Sequence, residues 1–244
     1  MRRFFIDSPP PGSNLITITG TEAHHLRNVL RLKPGARIIC CDGLGVEFDA
    51  QLEKIDAHAA TALILDRRVG SIDPCRVTMG QGVLTAQKMD LVVQKGTELG
   101  ITTIVPFLSR HCTVREPAAA KAQRWQRIAR EACKQCRRAR EPEILPPQTW
   151  NECLSQANKH DLSVIFWEKA QGGSLHELRD LIGQNRPTSL LFLIGPEGGF
   201  AGEEIERARE KGFTCIGLGK RILRAETASL AAATLVQYLA GNLG

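Results

Sequence analysis

The order of hydrophobic and polar positions changes near residue 73. Before that point, short β-prone runs predict strands over residues 3–6, 15–19, 37–41, 46–52 and 60–65. Turn residues separate these runs, and one helical pattern interrupts them at residues 21–30. Short strands joined by turns predict a small β-barrel.

Beyond Asp73 and Pro74, strand and helix patterns alternate. Strands are predicted over residues 76–81, 101–107, 162–167, 190–194 and 214–218, and helices over residues 86–99, 118–137, 174–182, 202–211 and 226–239. This alternation predicts an α/β domain with a mostly parallel sheet. We therefore expect two domains, residues 1–72 and residues 73–244.

Composition is typical of a soluble globular protein. Of the 244 residues, 43% are hydrophobic and 24% are charged. The apolar run at residues 4–6 is too short for a signal peptide, and no run approaches the roughly 20 apolar residues of a membrane span. We expect a cytoplasmic protein whose cysteines are reduced. Cys133 and Cys136 have a CxxC spacing without a second pair, so no metal site is expected.

Positive charge is concentrated in two clusters. The net charge of +6 favours a polyanionic partner. The first cluster contains Arg2, Arg3, Arg27, Arg31, Lys33 and Arg37, and the second contains Lys121, Arg124, Arg127, Arg130, Lys134, Arg137, Arg138 and Arg140. Aromatic residues make up only 5% of the chain, so base stacking on an aromatic platform is not expected to dominate.

Three loops at predicted strand ends carry the candidate chemistry. They are residues 195–199 (GPEGG), 217–219 (GLG) and 223–227 (LRAET). Ligands of open α/β sheets bind outside the carboxyl ends of the strands, and glycines there let the backbone approach a flat ligand. The loops lack a phosphate-binding lysine and the GxGxxG spacing. A glycine-rich turn without a ligand and an unrelated nucleotide enzyme are the alternatives.

The stretches RRFF, HHLRNVLRLKPG, QKMDLVVQKGTELGI, PFLSR, IGPEGGF and ILRAETA follow one another along the chain. Their order and spacing resemble the SPOUT methyltransferases, and more narrowly the bacterial family that methylates N3 of a uracil in 16S ribosomal RNA. The resemblance implies an N-terminal PUA-like β-barrel that binds RNA. It also implies a C-terminal SPOUT α/β domain with a deep trefoil knot, which binds the cofactor and dimerises.

The resemblance further implies an enzyme that uses S-adenosylmethionine. This cofactor is cationic at sulfur and has no phosphate, so the carboxylate of Glu197 is tolerable beside it. By the resemblance, the cofactor would contact Leu193, Gly195, Glu197, Gly198, Gly199, Leu218, Gly219, Ile222, Leu223, Arg224 and Thr227. Leu193 and Ile222 would supply apolar contact to its adenine.

Methylation at N3 sets two chemical requirements. N3 carries a proton at neutral pH, which must leave before or during attack, and the developing negative charge spreads over O2 and O4. Arg224 is the candidate for stabilising that charge, and Glu197 and Glu226 are candidates for the base. Glu226 has an ordinary alternative role, because a carboxylate is favourable at the N-terminus of the final helix.

RNA contacts are predicted on both domains. The candidates are Arg2, Arg3, Arg27 and Arg31 on the barrel side, and Lys88, Arg110, Arg138 and Arg140 on the α/β side. The alternative for each is an ordinary solvated charge. His24 and His25 are expected to be structural or RNA-facing rather than metal ligands. The alanine-rich final helix, together with the resemblance, implies a homodimer. A catalytically inactive protein that only binds RNA is the alternative function.

One segment departs from the pattern of the family. In EACKQCRRAR, Lys134 stands where glutamate is usual and Arg137 where glycine is usual, whereas Gln135 and Arg138 match. The resemblance therefore assigns Lys134 no role.

Overall fold

The computed structural model describes residues 1–114, 119–170 and 173–243. They form two compact units. Unit 1 contains Met1–Ile72 and Cys133–Glu141, and unit 2 contains Asp73–Ala132 and Pro142–Gly244. No helix in the described part of the chain is long and apolar enough to cross a membrane.

Unit 1 is built on a five-stranded sheet. Its strands are β1 Arg2–Phe5, β2 Leu15–Thr19, β3 Arg37–Cys41, β4 Val46–Ile55 and β5 Ala59–Val69. The order is β1-β3-β4-β5-β2, with β1 parallel to β3 and the other pairs antiparallel. Two register shifts between β4 and β5 mark bulges, which increase strand twist. Because β1 and β2 are the edges of this sheet, it is a half-barrel.

The single helix predicted at residues 21–30 consists of two helical segments in the structure. A short helix, α1 Gly20–His24, continues as a π-helical turn over His25–Val29. Leu26 is the buried residue of that turn and packs on the core of unit 1, whereas the side chains of His24 and His25 are exposed. The π-helical turn thus presents its polar side chains to solvent.

Unit 2 is an α/β layer structure. Its strands are β6 Arg76–Gly82, β7 Thr103–Leu108, β8 Glu143–Ile144, β9 Gln148–Thr149, β10 Leu162–Phe166, β11 Ser189–Ile194 and β12 Thr214–Ile216. All their pairings are parallel, in the order β12-β10-β11-β6-β7-β8, with β9 also on β7. This agrees with the predicted parallel sheet.

Helices cover both faces of this sheet. They are α2 Ala86–Glu98, α3 Ala119–Cys136, α4 Trp150–Ser155, α5 Leu175–Asn185, α6 Gly202–Glu210 and α7 Ala225–Leu239. The start predicted for α3, residue 118, lies outside the described residues. One buried cluster joins α2, α5 and α7 to the sheet, and a second joins α4 and α6 to it. Alternating side chains of β11 therefore enter different clusters, as Leu193 and Ile194 do.

Residues 133–141 fold with unit 1, although the sequence pattern assigned them to the second domain. The backbone of Arg140 forms isolated β-bridges with Gly43 and with Leu44. The Glu141 N–H donates to the Gly43 carbonyl at 3.0 Å. Lys134 forms an ion pair of 2.5 Å with Glu22, whose side chain is only 11% exposed. The lysine that departs from the family pattern thus has a buried partner of opposite charge.

Arg137 ends α3 in a left-handed conformation. Its φ is 66°, and the Arg138 N–H donates to the Cys133 carbonyl at 3.0 Å. This hydrogen bond closes a Schellman cap, in which glycine is favoured because a β-carbon is strained at positive φ. The positive φ at position 137 therefore explains why the family is expected to have glycine there.

Arg137→Gly should stabilise the protein. Relief of the left-handed strain outweighs the extra freedom of glycine in the unfolded chain, and we expect a net gain of about 0.5–1 kcal/mol in the free energy of unfolding. Denaturant titration measures it. Arg127→Gly is the matched control, because the same change in the interior of α3 should cost about 1 kcal/mol. Two losses of equal size would contradict the strain argument.

Candidate active site

Three loops at the carboxyl ends of neighbouring strands enclose a cavity of about 410 Å³ in unit 2. They follow β10, β11 and β12, which are adjacent in the sheet. The lining residues are Lys88, Phe166, Trp167, Glu168, Lys169, Ile194, Gly195, Pro196, Glu197, Gly198, Gly199, Phe200, Leu218, Gly219, Arg221, Ile222, Leu223, Arg224, Ala225, Glu226 and Ala228. Two of the walls are loops that the glycine pattern predicted.

The first wall, residues 195–199, is a tight turn packed on the sheet. The Gly199 N–H donates to the Pro196 carbonyl at 2.9 Å, and Gly199 has a φ of 68°. A β-carbon on Gly82, at the end of β6, would lie 2.5 Å from the Pro196 nitrogen. Only glycine at position 82 lets this backbone approach so closely.

Glu197 fastens the first wall to the N-terminus of α2. Its Oε1 accepts hydrogen bonds from the Thr85 N–H at 3.1 Å and the Thr85 hydroxyl at 3.0 Å, and lies 3.4 Å from the Lys88 Nζ. Burial opposes ionisation, but the hydrogen bonds from Thr85 and Lys88 outweigh it and lower the pKa of Glu197. An anchored carboxylate of low pKa is a poor proton acceptor, so the geometry favours a positioning role over that of a base.

The loop after β7, residues 109–112, packs on the side of the first wall that faces away from the cavity. The Arg110 N–H donates to Glu204 Oε1 at 2.9 Å, while Glu204 Oε2 accepts from the Ala201 N–H at 2.9 Å. A β-carbon on Gly198 would lie 2.7 Å from the β-carbon of His111. Position 198 therefore has no room for a side chain unless one of the two loops moves.

The wall after β12 is held by the loop after β10. The Gly217 N–H donates to the Gly173 carbonyl at 3.0 Å, and the Trp167 N–H donates to the Ile216 carbonyl at 3.0 Å. Gly219 has a φ of 93°, a conformation that other residues rarely adopt. Ile222 is 86% exposed, so its apolar side chain is available to a ligand.

Arg224 and Glu226 lie where this wall enters α7. Arg224 is the N-cap residue of α7, and its exposed side chain makes no hydrogen bond or ion pair with the described residues. Glu226 lies in the first turn of the helix, and its Oε2 is buried without a hydrogen-bond partner in the described part of the chain. The site thus offers one free guanidinium and one carboxylate beside the cavity.

Buried polar atoms without partners collect around this cavity. Trp167 Nε1, Glu197 Oε2 and Glu226 Oε2 all lack a hydrogen-bond partner among the described residues, and all three residues line the cavity. Such atoms are costly unless a ligand or water satisfies them. The indole N–H donor, the two carboxylate acceptors and the apolar lining fit a ligand of two parts. One part would be flat and apolar, and the other would be polar and carry positive charge.

Two of the predicted cofactor contacts lie away from the cavity. Leu193 is fully buried on the opposite face of β11, where it packs with Phe107 and Phe200, because neighbouring residues of a strand face opposite sides. Ile194 occupies the cavity side instead. Thr227 lies on the outer surface of α7. The other predicted contacts, Gly195, Glu197, Gly198, Gly199, Leu218, Gly219, Ile222, Leu223 and Arg224, line the cavity.

The predicted RNA contacts differ in their availability. Arg3 is not free, because it donates to Glu47 at 2.6 Å; burial opposes its charge, but this hydrogen bond outweighs it and raises the pKa of Arg3. Arg2, Arg27 and Arg31 are exposed on unit 1. Arg138 and Arg140 also belong to unit 1, and not to the α/β side as expected, because the chain returns to unit 1 in the last turn of α3.

On unit 2, Arg110 forms an exposed ion pair with Glu203 at 3.3 Å, and Lys88 lines the cavity. Arg110 thus remains at the surface, whereas Lys88 faces the cavity. Within the described residues, no group of three or more His, Cys, Asp or Glu side chains is placed to hold a metal ion.

Residues 71–237 match the family described as the RNA methyltransferase domain, and residues 18–65 match the RNA methyltransferase PUA domain. The chain is similar to the ribosomal RNA small subunit methyltransferase E of Bacillus subtilis (strain 168), with 32% identity over 248 residues, 98% of this chain and 96% of that protein. It is also similar to the protein of the same name from Buchnera aphidicola subsp. Schizaphis graminum (strain Sg), with 30% identity over 95% of this chain and 93% of that one.

The structure is similar to the crystal structure of a ribosomal RNA small subunit methyltransferase E from Neisseria gonorrhoeae bound to S-adenosyl methionine. The two share 34% identity over 98% of each chain, with a TM-score of 0.88. These findings agree with the expected combination of a PUA-like unit and an α/β methyltransferase unit. The trefoil knot implied by the resemblance stays a prediction.

Proposed function

This chain belongs to the ribosomal RNA small subunit methyltransferase E family, and we propose that it methylates N3 of one specific uridine in 16S ribosomal RNA. It is an enzyme that methylates ribosomal RNA with S-adenosylmethionine as its cofactor. A cytoplasmic location is part of the proposal, because the substrate is the small ribosomal subunit.

The observation that carries the proposal is the placement of Arg224 and Glu226 at the cavity. S-adenosylmethionine, when bound, supplies a methyl group on a positively charged sulfur. The apolar lining and the backbone of residues 195–199 would hold its adenine and ribose. The negative charges of Glu197 and Glu226 are compatible with the positive charge on its sulfur. The remaining chemistry falls to groups of the protein that face the uracil.

Those groups must take a proton from N3 and stabilise the charge that remains. Arg224, with five N–H donors and no partner among the described residues, is suited to O2 or O4 of the uracil. Glu226, with an unpartnered buried oxygen, is suited to accept the N3 proton. Glu197 is already bound by Thr85 and would hold the first wall in place.

Two isosteric changes distinguish these roles. Glu226→Gln should lower the single-turnover rate of methylation about a hundredfold or more while the cofactor Kd changes little. Glu197→Gln keeps an acceptor for Thr85 but loses the ion pair with Lys88, so the cofactor Kd should rise severalfold at a nearly unchanged rate. The reverse pattern would make Glu197 the base.

The decisive experiment for the substrate is mass mapping of modified nucleotides in ribosomal RNA from a strain that lacks this gene. We expect one uridine of 16S RNA to lose an N3 methyl group, and to regain it after treatment with the purified protein and S-adenosylmethionine. Cofactor titration separately tests the alternative of an inactive RNA-binding protein. Tight binding of S-adenosylmethionine without methyl transfer to any ribosomal particle would favour that alternative.

RNA binding by unit 1 and cofactor binding by unit 2 are the division of labour we propose. The exposed Arg2, Arg27 and Arg31 support it on unit 1. Phosphate contacts lose affinity with salt, each contributing roughly 0.7–0.9 to the slope of log affinity against log salt. Replacing these three arginines by alanine should flatten that slope, whereas an unchanged slope would rule them out as phosphate contacts.

A homodimer is also proposed, supported by an apolar strip on α2 and α7. The strip contains Leu91, Thr227, Leu230, Ala231, Thr234 and Leu235. Leu91 is 37% exposed in the single chain. Light scattering at micromolar concentration should give twice the 26.8 kDa of one chain. A monomer mass would contradict it.

A further inference from the structure

A fully buried amide lies beneath the cavity walls. Gln81 is close to the carboxyl end of β6, a strand in the middle of the sheet of unit 2, and its side chain is 0% exposed. Burial of a primary amide is unfavourable unless its hydrogen bonds are made inside the protein. The positions of its partners therefore restrict how the surrounding elements can pack.

Each end of the Gln81 amide has a partner. Its Oε1 accepts a hydrogen bond from the Ser229 hydroxyl at 2.5 Å, and its Nε2 donates to the Gly82 carbonyl at 3.0 Å and to the Gly195 carbonyl at 3.4 Å. Ser229 is also 0% exposed. In sequence it lies 148 residues from Gln81.

These partners belong to two different walls of the cavity. Gly195 begins the first wall, whereas Ser229 is in the part of α7 that carries Glu226. Ala225 and Ala228, on either side of Glu226, both line the cavity. One buried side chain thus links the cofactor loop to the helix that carries the proposed base.

We propose that Gln81 and Ser229 are positioning residues, which set the distance between the first wall and the start of α7. This inference rests on the proposed function, because the consequence of that distance is the alignment of cofactor and uracil. Neither side chain lines the cavity, so both act through the backbone of Gly195 and through the first turns of α7. Misplacement of a reacting group by 1 Å can lower a rate about a hundredfold.

Gln237 provides a matched comparison. It is the other glutamine that is 0% exposed, among the described residues, and it lies at the opposite end of α7. Its Nε2 donates to the Leu99 carbonyl at 2.9 Å, and its Oε1 accepts from Asn242. None of these partners lines the cavity. Gln81 and Gln237 therefore resemble each other in burial and differ in what they hold.

The test compares Gln81→Leu with Gln237→Leu in cofactor titration, single-turnover methylation and thermal unfolding. Both changes should lower the unfolding temperature, because each leaves a buried group unpaired. Only Gln81→Leu should raise the Kd for S-adenosylmethionine, by about tenfold, and lower the methylation rate by more than that. Gln237→Leu should keep both values within about twofold of the wild type.

A double change tests whether the two side chains act through one link. In the Gln81→Leu protein the Ser229 hydroxyl can still donate to the Ala225 carbonyl, 2.8 Å away, so it is not left unpaired. Because Gln81→Leu alone already breaks the link between the walls, adding Ser229→Ala should leave the raised cofactor Kd unchanged within about twofold. A further rise of Kd in the double variant, or equal Kd changes for both glutamine variants, would overturn the inference. A wild-type protein that binds no S-adenosylmethionine would instead overturn the proposed function.

Discussion

Gly198→Val should abolish measurable cofactor binding, with a Kd at least about a hundredfold above that of the wild type. A β-carbon at this position would lie 2.7 Å from the β-carbon of His111 and 3.1 Å from its carbonyl oxygen. The loop at residues 109–112 cannot easily retreat, because Glu204 holds the Arg110 N–H. The first wall must therefore move into the space that the cofactor needs.

Gly202→Val is the matched control for this change. The same side chain is added four residues later, at the start of α6, where no atom beyond the adjacent residues and the backbone of the helix itself lies within 4 Å of the new β-carbon. Calorimetry should give the wild-type Kd for this control, and circular dichroism should give a folded spectrum for both variants. Normal cofactor binding by Gly198→Val would mean that the contact with His111 does not shape the cavity.

Arg224→Ala should lower the methylation rate about a hundredfold to a thousandfold, as expected when a donor to a developing oxyanion is removed. The change should leave α7 intact, because the Arg224 side chain makes no capping hydrogen bond. Since the charge develops only during the reaction, the rate should fall much more than the affinity for S-adenosylmethionine. Single-turnover assays and calorimetry on the same preparation measure the two effects.

Lys220→Ala serves as the control for lost positive charge. Lys220 is exposed in the same loop but does not line the cavity. Its removal should weaken RNA binding slightly at low salt and leave the rate at saturating RNA unchanged. If both variants lose the same fraction of activity, Arg224 contributes general electrostatic attraction to RNA and no specific stabilisation of the reacting uracil.

Most elements with a visible hydrophobic period could be predicted from the sequence, whereas the two-residue strands and the short helix α4 could not. The predicted bounds of β2 and β3 coincide with the observed strands, Leu15–Thr19 and Arg37–Cys41. The two-residue strands β8 and β9 and the short helix α4 were missed. Two residues cannot display a period of two, so such strands are defined by their neighbours in the sheet and not by local sequence.

The candidate site also has parts that could be predicted from the sequence and parts that could not. Glycine-containing loops after β11 and β12 were recognisable because close backbone approach requires glycine. The loop after β10, with Trp167 and Glu168, was missed because it enters the cavity through side chains. Gln81 was missed for a different reason. A polar residue in a buried strand does not reveal a partner that lies 148 residues away.

The return of residues 133–141 to unit 1 has a consequence for synthesis of the chain on the ribosome. A nascent chain that ends at residue 72 has all five strands of the half-barrel but lacks Lys134, the ion-pair partner of the buried Glu22. It also lacks the backbone of residues 140 and 141, which pairs with Gly43. Domains often fold one after another, from the N-terminus onward, as the chain leaves the ribosome. Unit 1 must instead wait for residues 133–141, which are synthesised after the first part of unit 2. Unit 1 can therefore complete its fold only when residue 141 has emerged, by which time β6, α2 and β7 are already outside.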